Sequence, residues 1–313
     1  MASTTSQMAS RATHAARGGG VGRFYRKRFP YILALPILLY EGFFLLYPMA
    51  RGALLSFSDV QMGSGGNWVG LDNYRRMFGD AIFWQVILNT IVFSASVIVI
   101  ALLVGLGIAL LMNRSFYGRA TVRAVMAMPW AFPDVPTVLI FLWIMNPVFG
   151  VLDVFARWAP WVHSNPGWFI DPHLAMPSIV MLTVWKGFPF YSLVILAALQ
   201  GVPADLYEAA RVDGANWRAS FRYVTLPGIM PSLMLLGLLA FVFSFQQFTL
   251  IWLTTGGGPV QATETLAVMI YQEAFRFFDY SYAATLGVAG LALSMAAAAL
   301  FIALERRAST LAA

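Results

Sequence analysis

Six stretches of this chain are apolar over lengths that cross a bilayer, which takes about 20 helical residues. They run approximately over residues 31–55, 83–112, 122–144, 174–199, 229–253 and 282–304. Of 313 residues, 59% are hydrophobic and only 11% are charged, against about 25% charged in soluble globular proteins. A soluble core cannot hide that much apolar surface. The sequence therefore predicts an all-α integral membrane protein with six transmembrane helices.

Lys and Arg set the orientation. With the N-terminus inside, the cytoplasmic segments hold fourteen of the twenty, among them Arg23, Arg26, Lys27, Arg28, Arg114, Arg119, Arg123, Arg211, Arg218 and Arg222, and the outer segments hold five. Positive charge marks the cytoplasmic side, so both termini are expected there and the protein in the plasma membrane. Residues 1–28 read as a disordered basic tail, 29–307 as the membrane domain and 308–313 as a short C-terminal tail. The first span is too long for a signal-peptide core, so no cleavage is expected. Among the outer segments, 145–173 carries Trp158, Pro160, Trp161, Pro166 and Trp168, as an interfacial aromatic belt does.

Several chemistries are excluded. There is no cysteine, hence no disulfide, thiol catalysis or thiolate metal site. The three histidines, His14, His163 and His173, lie outside the spans, which removes the usual intramembrane proton relay or metal ligand and argues against an intramembrane hydrolase. The two lysines, Lys27 and Lys186, sit in no G-x-x-x-x-G-K-[ST] loop, so the chain is not expected to hydrolyse ATP or hold a cofactor. The net charge of +6 comes largely from the cytoplasmic clusters, so it is not read as a nucleic-acid surface.

Residues 201–231, GVPADLYEAARVDGANWRASFRYVTLPGIMP, form a charged island between two apolar segments. Pro203 suits a first helical turn, Asp205 and Glu208 come early and Arg211 late, as a helix dipole favours, and Gly214 can turn the backbone. A second helical run over 215–223 should end before Pro227. The spacing predicts a helix, a glycine elbow and a second helix. A solvated loop is the plain alternative.

Two charges fall inside spans. Asp134 and Lys186 each lie twelve residues into their segments, about 18 Å from their entry points on opposite faces, so a salt bridge or shared polar cavity near the midplane is expected. Asp134 sits in PWAFPDVP and Lys186 in WKGFPF. Both runs should interrupt the helix, and such interruptions are tolerated where they line a cavity. In the fifth span, Phe243, Ser244 and Gln247 share a face at i,i+3 and i,i+4 spacing. Rings beside amide and hydroxyl groups suit a sugar, whereas interhelical hydrogen bonding is the ordinary alternative. An ion-coupled secondary transporter built on Asp134 and Lys186 is the rival reading, but it leaves the charged loop without a role.

The run Glu208-Ala209-Ala210, with Gly214 four residues on and then Leu226-Pro227, resembles the coupling ("EAA") loop of importer permeases of the ATP-binding-cassette (ABC) class. From about residue 29 the chain resembles sugar-importing permeases of the maltose-transporter type. The likeness rests on Leu35-Pro36, Gly70-Leu71-Asp72-Asn73-Tyr74, Asn89-Thr90, Pro129 to Pro133, Trp185 to Pro189 and Thr254-Thr255-Gly256-Gly257-Gly258-Pro259. It implies the type I importer fold and a sugar site at Trp130, Asp134, Lys186, Gly187, Phe188, Phe243, Ser244 and Gln247. It also implies contact with an ATPase through Leu206, Glu208, Ala209, Ala210, Asp213 and Gly214. The implied partners are a second permease subunit, two ATPase subunits carrying ATP and Mg, and a lipid-anchored sugar-binding protein. Similarity to trehalose-importing members implies a disaccharide, trehalose. The acid at Asp134 and the base at Lys186 depart from the maltose pattern.

Overall fold

A computed structural model describes residues 21–63, 66–158 and 166–312. They fall into two units, the first ending at Leu54 and the second beginning at Leu55. The described part of the first unit lies in a helical run, α1 (residues 21–55), whose apolar part is Tyr31–Leu55 and whose last residue falls at the unit boundary. It starts at Val21, inside the stretch expected to be irregular, because the basic residues there are good helix formers that extend the span. Residues 1–20, with His14, lie outside the described residues. A π turn at Gly42–Leu46 precedes Pro48, and Tyr47 N–H bonds Gly42 O. A proline cannot donate to the carbonyl four residues back and crowds it; widening the preceding turn relieves that contact.

The second unit opens with two short antiparallel strands, β1 (Ser58–Asp59) and β2 (Asn67–Trp68). Then follow α2 (Asp72–Gly79), α3 (Ala81–Met112), α4 (Arg119–Ala131), α5 (Asp134–Ile144), α6 (Val151–Ala156), α7 (Pro172–Gln200) and α8 (Ala204–Val212). The last four are α9 (Trp217–Phe245), α10 (Thr249–Thr254), α11 (Leu266–Phe275) and α12 (Tyr280–Ala312). Among the described residues, five helices are long and apolar enough to cross a membrane, and α4 with α5 makes a sixth if that bent pair is one span.

The interruption expected at the Asp134 run forms, as a sharp corner: α4 and α5 meet at 97°. Phe132 precedes Pro133 and is pushed out of the helical region, to φ −71 and ψ 137. The fifth span ends at Phe245 rather than 253, and its N-terminal end is continuous with the second helix of the polar loop. Pro227 does not stop that helix, because a π turn at Phe221–Thr225 precedes it, with Leu226 N–H on Phe221 O. α7 runs unbroken through Gly187 and Pro189, since one lost backbone bond inside packed helices can be absorbed. The C-terminal tail is also helical, to Ala312, where Ala, Leu and Arg favour helix. The expected elements at Pro160, Trp161 and His163 lie outside the described residues.

The main core lies between α3, α7 and α9. Phe93, Val97, Ala101, Ile179, Ile195, Leu199, Ile229, Leu236 and Ala240 meet there, buried. A second cluster joins α2, α3, α11 and α12 through Met77, Phe83, Leu266 and Tyr282. A third joins α5, α7 and α10 through Val138, Phe141, Leu182 and Leu250. α3 and α7 approach closely at Gly105, where a Cβ would stand 3.0 Å from the Cβ of Tyr191 and 3.3 Å from Ser192 N. Small residues permit such approach between apolar helices.

Candidate functional site

The α4–α5 corner follows from three prolines. Pro129 lies in the last turn of α4, Pro133 caps α5 at its start, and Pro136 occupies its first turn. Thr137 donates its N–H and its hydroxyl to Pro133 O, at 3.2 and 2.8 Å, which fastens that turn. Lys186 of α7 reaches the corner from outside. Its Nζ lies 2.9 Å from Asp134 Oδ1 and donates to Phe132 O. The Lys186 side chain is 18% exposed and that of Asp134 37%. The expected ion pair forms, between the broken third span and the unbroken α7.

Beside this corner lies a cavity of about 120 Å³. Trp130, Lys186, Gly187, Phe243, Ser244 and Gln247 line it, with Phe190, Tyr191, Val97, Thr183 and Leu250. The three segments singled out in the sequence thus meet around one space. Gln247 arrives by a different route from that expected: it lies beyond the end of α9, in the link to α10. There its N–H bonds Ser244 O at 3.1 Å, so a turn, and not helical spacing, brings it beside Phe243 and Ser244. Phe190 stacks on Trp130 at 6.0 Å and meets Phe243 edge-on at 6.3 Å, making one aromatic wall. Sequence pattern alone passes over Phe190 and Tyr191; their place four and five residues after Lys186, near its face of α7, is the signal that finds them. Phe188 stands apart. Two residues on from Lys186, it turns to another side of α7 and lines a larger apolar cavity between α3 and α7 with Val92, Ile100, Val180 and Trp185.

The polar loop forms the expected elbow. Pro203 is the N-cap of α8, one place earlier than expected, Asp205 lies in its first turn and Arg211 in its last. Gly214, at φ +77, closes α8 with two bonds: Gly214 N–H to Arg211 O at 3.1 Å and Ala215 N–H to Ala210 O at 2.9 Å. This pair of bonds needs a left-handed residue after the cap, which glycine adopts without steric cost. Asn216 caps the next helix by accepting Ala219 N–H at 2.9 Å. Tyr207 and Thr225 share a hydroxyl hydrogen bond of 3.1 Å that ties α8 to the π turn of α9. Leu206, Glu208, Ala209, Asp213 and Gly214 are exposed, and Ala210 is half-buried.

At the other end of the unit, the glycine-rich run between α10 and α11 folds tightly. Thr263 Oγ1 meets Thr255 Oγ1 at 2.7 Å and donates to Gly258 O at 2.6 Å. Asn89 of α3 donates Nδ2 to Gln261 O at 2.9 Å and Glu264 O at 3.1 Å. Thr90 Oγ1 accepts Leu266 N–H at 2.9 Å. Burial, then the neighbouring Glu273 and Asp80, push the Glu264 carboxyl up to about 7. Arg76 crosses from α2 to Asp279 at 2.7 Å and lies 3.9 Å over the Tyr282 ring.

Comparisons with known proteins agree with this architecture. The sulfoquinovosyl glycerol transport system permease protein of Agrobacterium fabrum is 36% identical over 278 residues, covering 88% of this chain and 89% of that protein. The trehalose/maltose transport system permease protein of Thermococcus litoralis is 30% identical over 272 residues, covering 85% and 90%. The crystal structure of a bacterial ABC transporter involved in the import of the acidic polysaccharide alginate holds a chain with TM-score 0.79 and 22% identity, covering 92% of this chain and 98% of that one. That likeness establishes the type I importer permease fold. The two permease relatives, at 36% and 30% identity, mark the chain as a multi-pass membrane transport component rather than an enzyme. Residues 98–310, which include the α4–α5 corner and the α8 elbow, match the model of one family, and the chain belongs to it: the binding-protein-dependent transport system inner membrane components.

Proposed function

We propose that this chain is the permease subunit of an ATP-driven ABC importer that carries a disaccharide, trehalose, across the plasma membrane by alternating access. The observation that carries this reading is the shared cavity, in which the rings of Trp130, Phe190 and Phe243 stand beside the polar groups of Ser244 and Gln247. Sugar rings have apolar faces that stack on aromatic side chains and hydroxyl edges that exchange hydrogen bonds with amides and hydroxyls. Gly187 leaves room at the wall, where a Cβ would stand 3.2 Å from the Tyr191 ring. The Agrobacterium relative is named for a sugar glycoside, and the Thermococcus relative for trehalose and maltose; the latter supports trehalose.

A space of about 120 Å³ is smaller than the roughly 300–1,000 Å³ of small-molecule pockets. The chain is accordingly half of a heterodimer whose second permease subunit completes the passage. An extracytoplasmic sugar-binding lipoprotein delivers the cargo; one alginate transporter structure is a complex with its periplasmic protein. Two ATPase subunits hold ATP and Mg, with both termini of this chain on their side of the membrane. The exposed face of α8, with Leu206, Glu208, Ala209, Asp213 and Gly214, docks on one of them. Closing of the ATPase pair moves α8 and, through the continuous α9, the wall holding Phe243 and Ser244. That opens the cavity outward, and hydrolysis returns it inward.

The cargo is tested by competition. Proteoliposomes holding the four kinds of subunit take up labelled trehalose, and excess unlabelled trehalose is expected to block it while maltose and sucrose do not. Failure to take up trehalose, or equal block by maltose or sucrose, sinks the trehalose assignment.

A further inference from the structure

We propose that Lys186 is a positioning residue: by bonding both sides of the Phe132–Pro133 break it fixes the corner between α4 and α5, and so aims the Trp130 ring into the cavity. The break leaves the last carbonyls of α4 without intrahelical partners. A helix C-terminus carries partial negative charge and an N-terminus partial positive charge. Lys186 Nζ sits on Phe132 O, at the C-terminal end of α4. Asp134 sits in the first turn of α5, where an acid is favoured. Each charge thus complements its own helix end, and the 2.9 Å ion pair joins the two.

α7 grips the corner twice. Phe190, one turn after Lys186, stacks on Trp130 at 6.0 Å, and Trp130 lies only two residues before the break. The polar pin and the aromatic contact come from one stretch of one unbroken helix. One donor of the ammonium goes to the Phe132 carbonyl and another to the Asp134 carboxylate, and the same residue lines the cavity. Removing the ammonium frees a 97° bend that the prolines permit but do not fix in angle. Effects on sugar then pass through Trp130. That last step rests on the cavity being the sugar path, whereas the corner itself can be measured without any cargo.

The chain has no cysteine, so Val125→Cys on α4 and Leu139→Cys on α5, both exposed, supply its only thiols. Spin labels at these positions in the assembled transporter, with thiol-free partner subunits in nanodiscs, report the distance across the corner. A narrow distribution is expected in the parent and in Lys186→Arg, and a broadened or shifted one in Lys186→Met. In uptake assays Lys186→Met should raise the half-saturating trehalose concentration about tenfold, the scale of a lost charge-assisted bond, while leaving the maximal rate within roughly twofold, and Lys186→Arg should restore it. If Lys186→Met does not assemble because Asp134 is left unpaired, the double variant Asp134→Asn with Lys186→Met replaces it and is expected to loosen the corner equally. Unchanged distance distributions in these variants overturn the proposal. A loosened corner with unchanged trehalose dependence upholds it and instead overturns the reading of the cavity as the sugar path.

Discussion

Gly105 of α3 faces Tyr191 of α7 so closely that an added Cβ would stand 3.0 Å from the tyrosine Cβ. Tyr191 also lines the cavity. Helix packing and cavity shape are therefore one problem at this position. Gly105→Leu should push Tyr191 inward, narrow the cavity and destabilise the fold by about 1–3 kcal/mol, as overpacking does. Thermal unfolding of the purified complex should show a lower midpoint, and uptake should fall even where the protein assembles. Gly105→Ala, which needs shifts of a few tenths of an ångström, should be far milder.

Asn89 is the pin of the glycine-rich run between α10 and α11. It holds two main-chain oxygens, of Gln261 and Glu264. Asn89→Ala leaves those carbonyls short of a donor, at a cost of about 0.5–1.5 kcal/mol for bonds that are not fully buried. Hydrogen exchange should quicken at residues 261–266 and stay unchanged in the α3–α7 core. Equal protection in the variant would refute the pin.

Glu264 gives this glycine-rich run a pH dependence. Its carboxyl is raised from the ordinary 4.5 to about 7 by burial and by Glu273 and Asp80. Below pH 4.5 the folded and unfolded chains both hold the proton. Between 4.5 and 7 the unfolded chain loses it first, so stability falls as pH rises through that window and is lowest above 7. Glu264→Gln should flatten this slope and raise the melting midpoint at pH 8. A steeper slope in the variant would contradict the assignment.

The elbow depends on backbone conformation at Gly214, not on space. A Cβ there meets nothing within 4 Å, but φ is +77, a region that costs a side-chain-bearing residue about 1–2 kcal/mol. Gly214→Val should disorder the turn, abolish uptake and leave the ATPase running without sugar. Gly214→Asn, which tolerates left-handed backbone, should retain most uptake. Glu208→Lys, on the exposed face, should uncouple with the fold intact. Normal uptake in Gly214→Val and Glu208→Lys would count against docking through α8.

Much of this was legible in the sequence, because long apolar runs and charges inside them have few physical outcomes. Asp134 and Lys186 had to find a partner, and they find each other. The acid-early, base-late run ending in glycine had to be a capped helix. What the sequence hid was how prolines are absorbed. Pro133 breaks a span because Phe132 before it leaves the helical region, whereas Pro189 and Pro227 sit in helices that continue. The difference lies in tertiary packing and in a π turn, neither of which local pattern encodes. The end of α9 at Phe245 was hidden for the same reason, since the apolar run continues through the break to Leu253.

The central claim is tested most directly by the energy source of uptake. Labelled trehalose is offered to proteoliposomes carrying this chain with the proposed second permease, ATPase subunits and binding protein, with ATP enclosed on the ATPase side and an ionophore present or absent. Uptake that requires ATP and is indifferent to the ionophore is the predicted result. Uptake that proceeds without ATP and collapses with the ionophore would contradict the account, and would return Asp134 and Lys186 to the role of an ion-coupling pair.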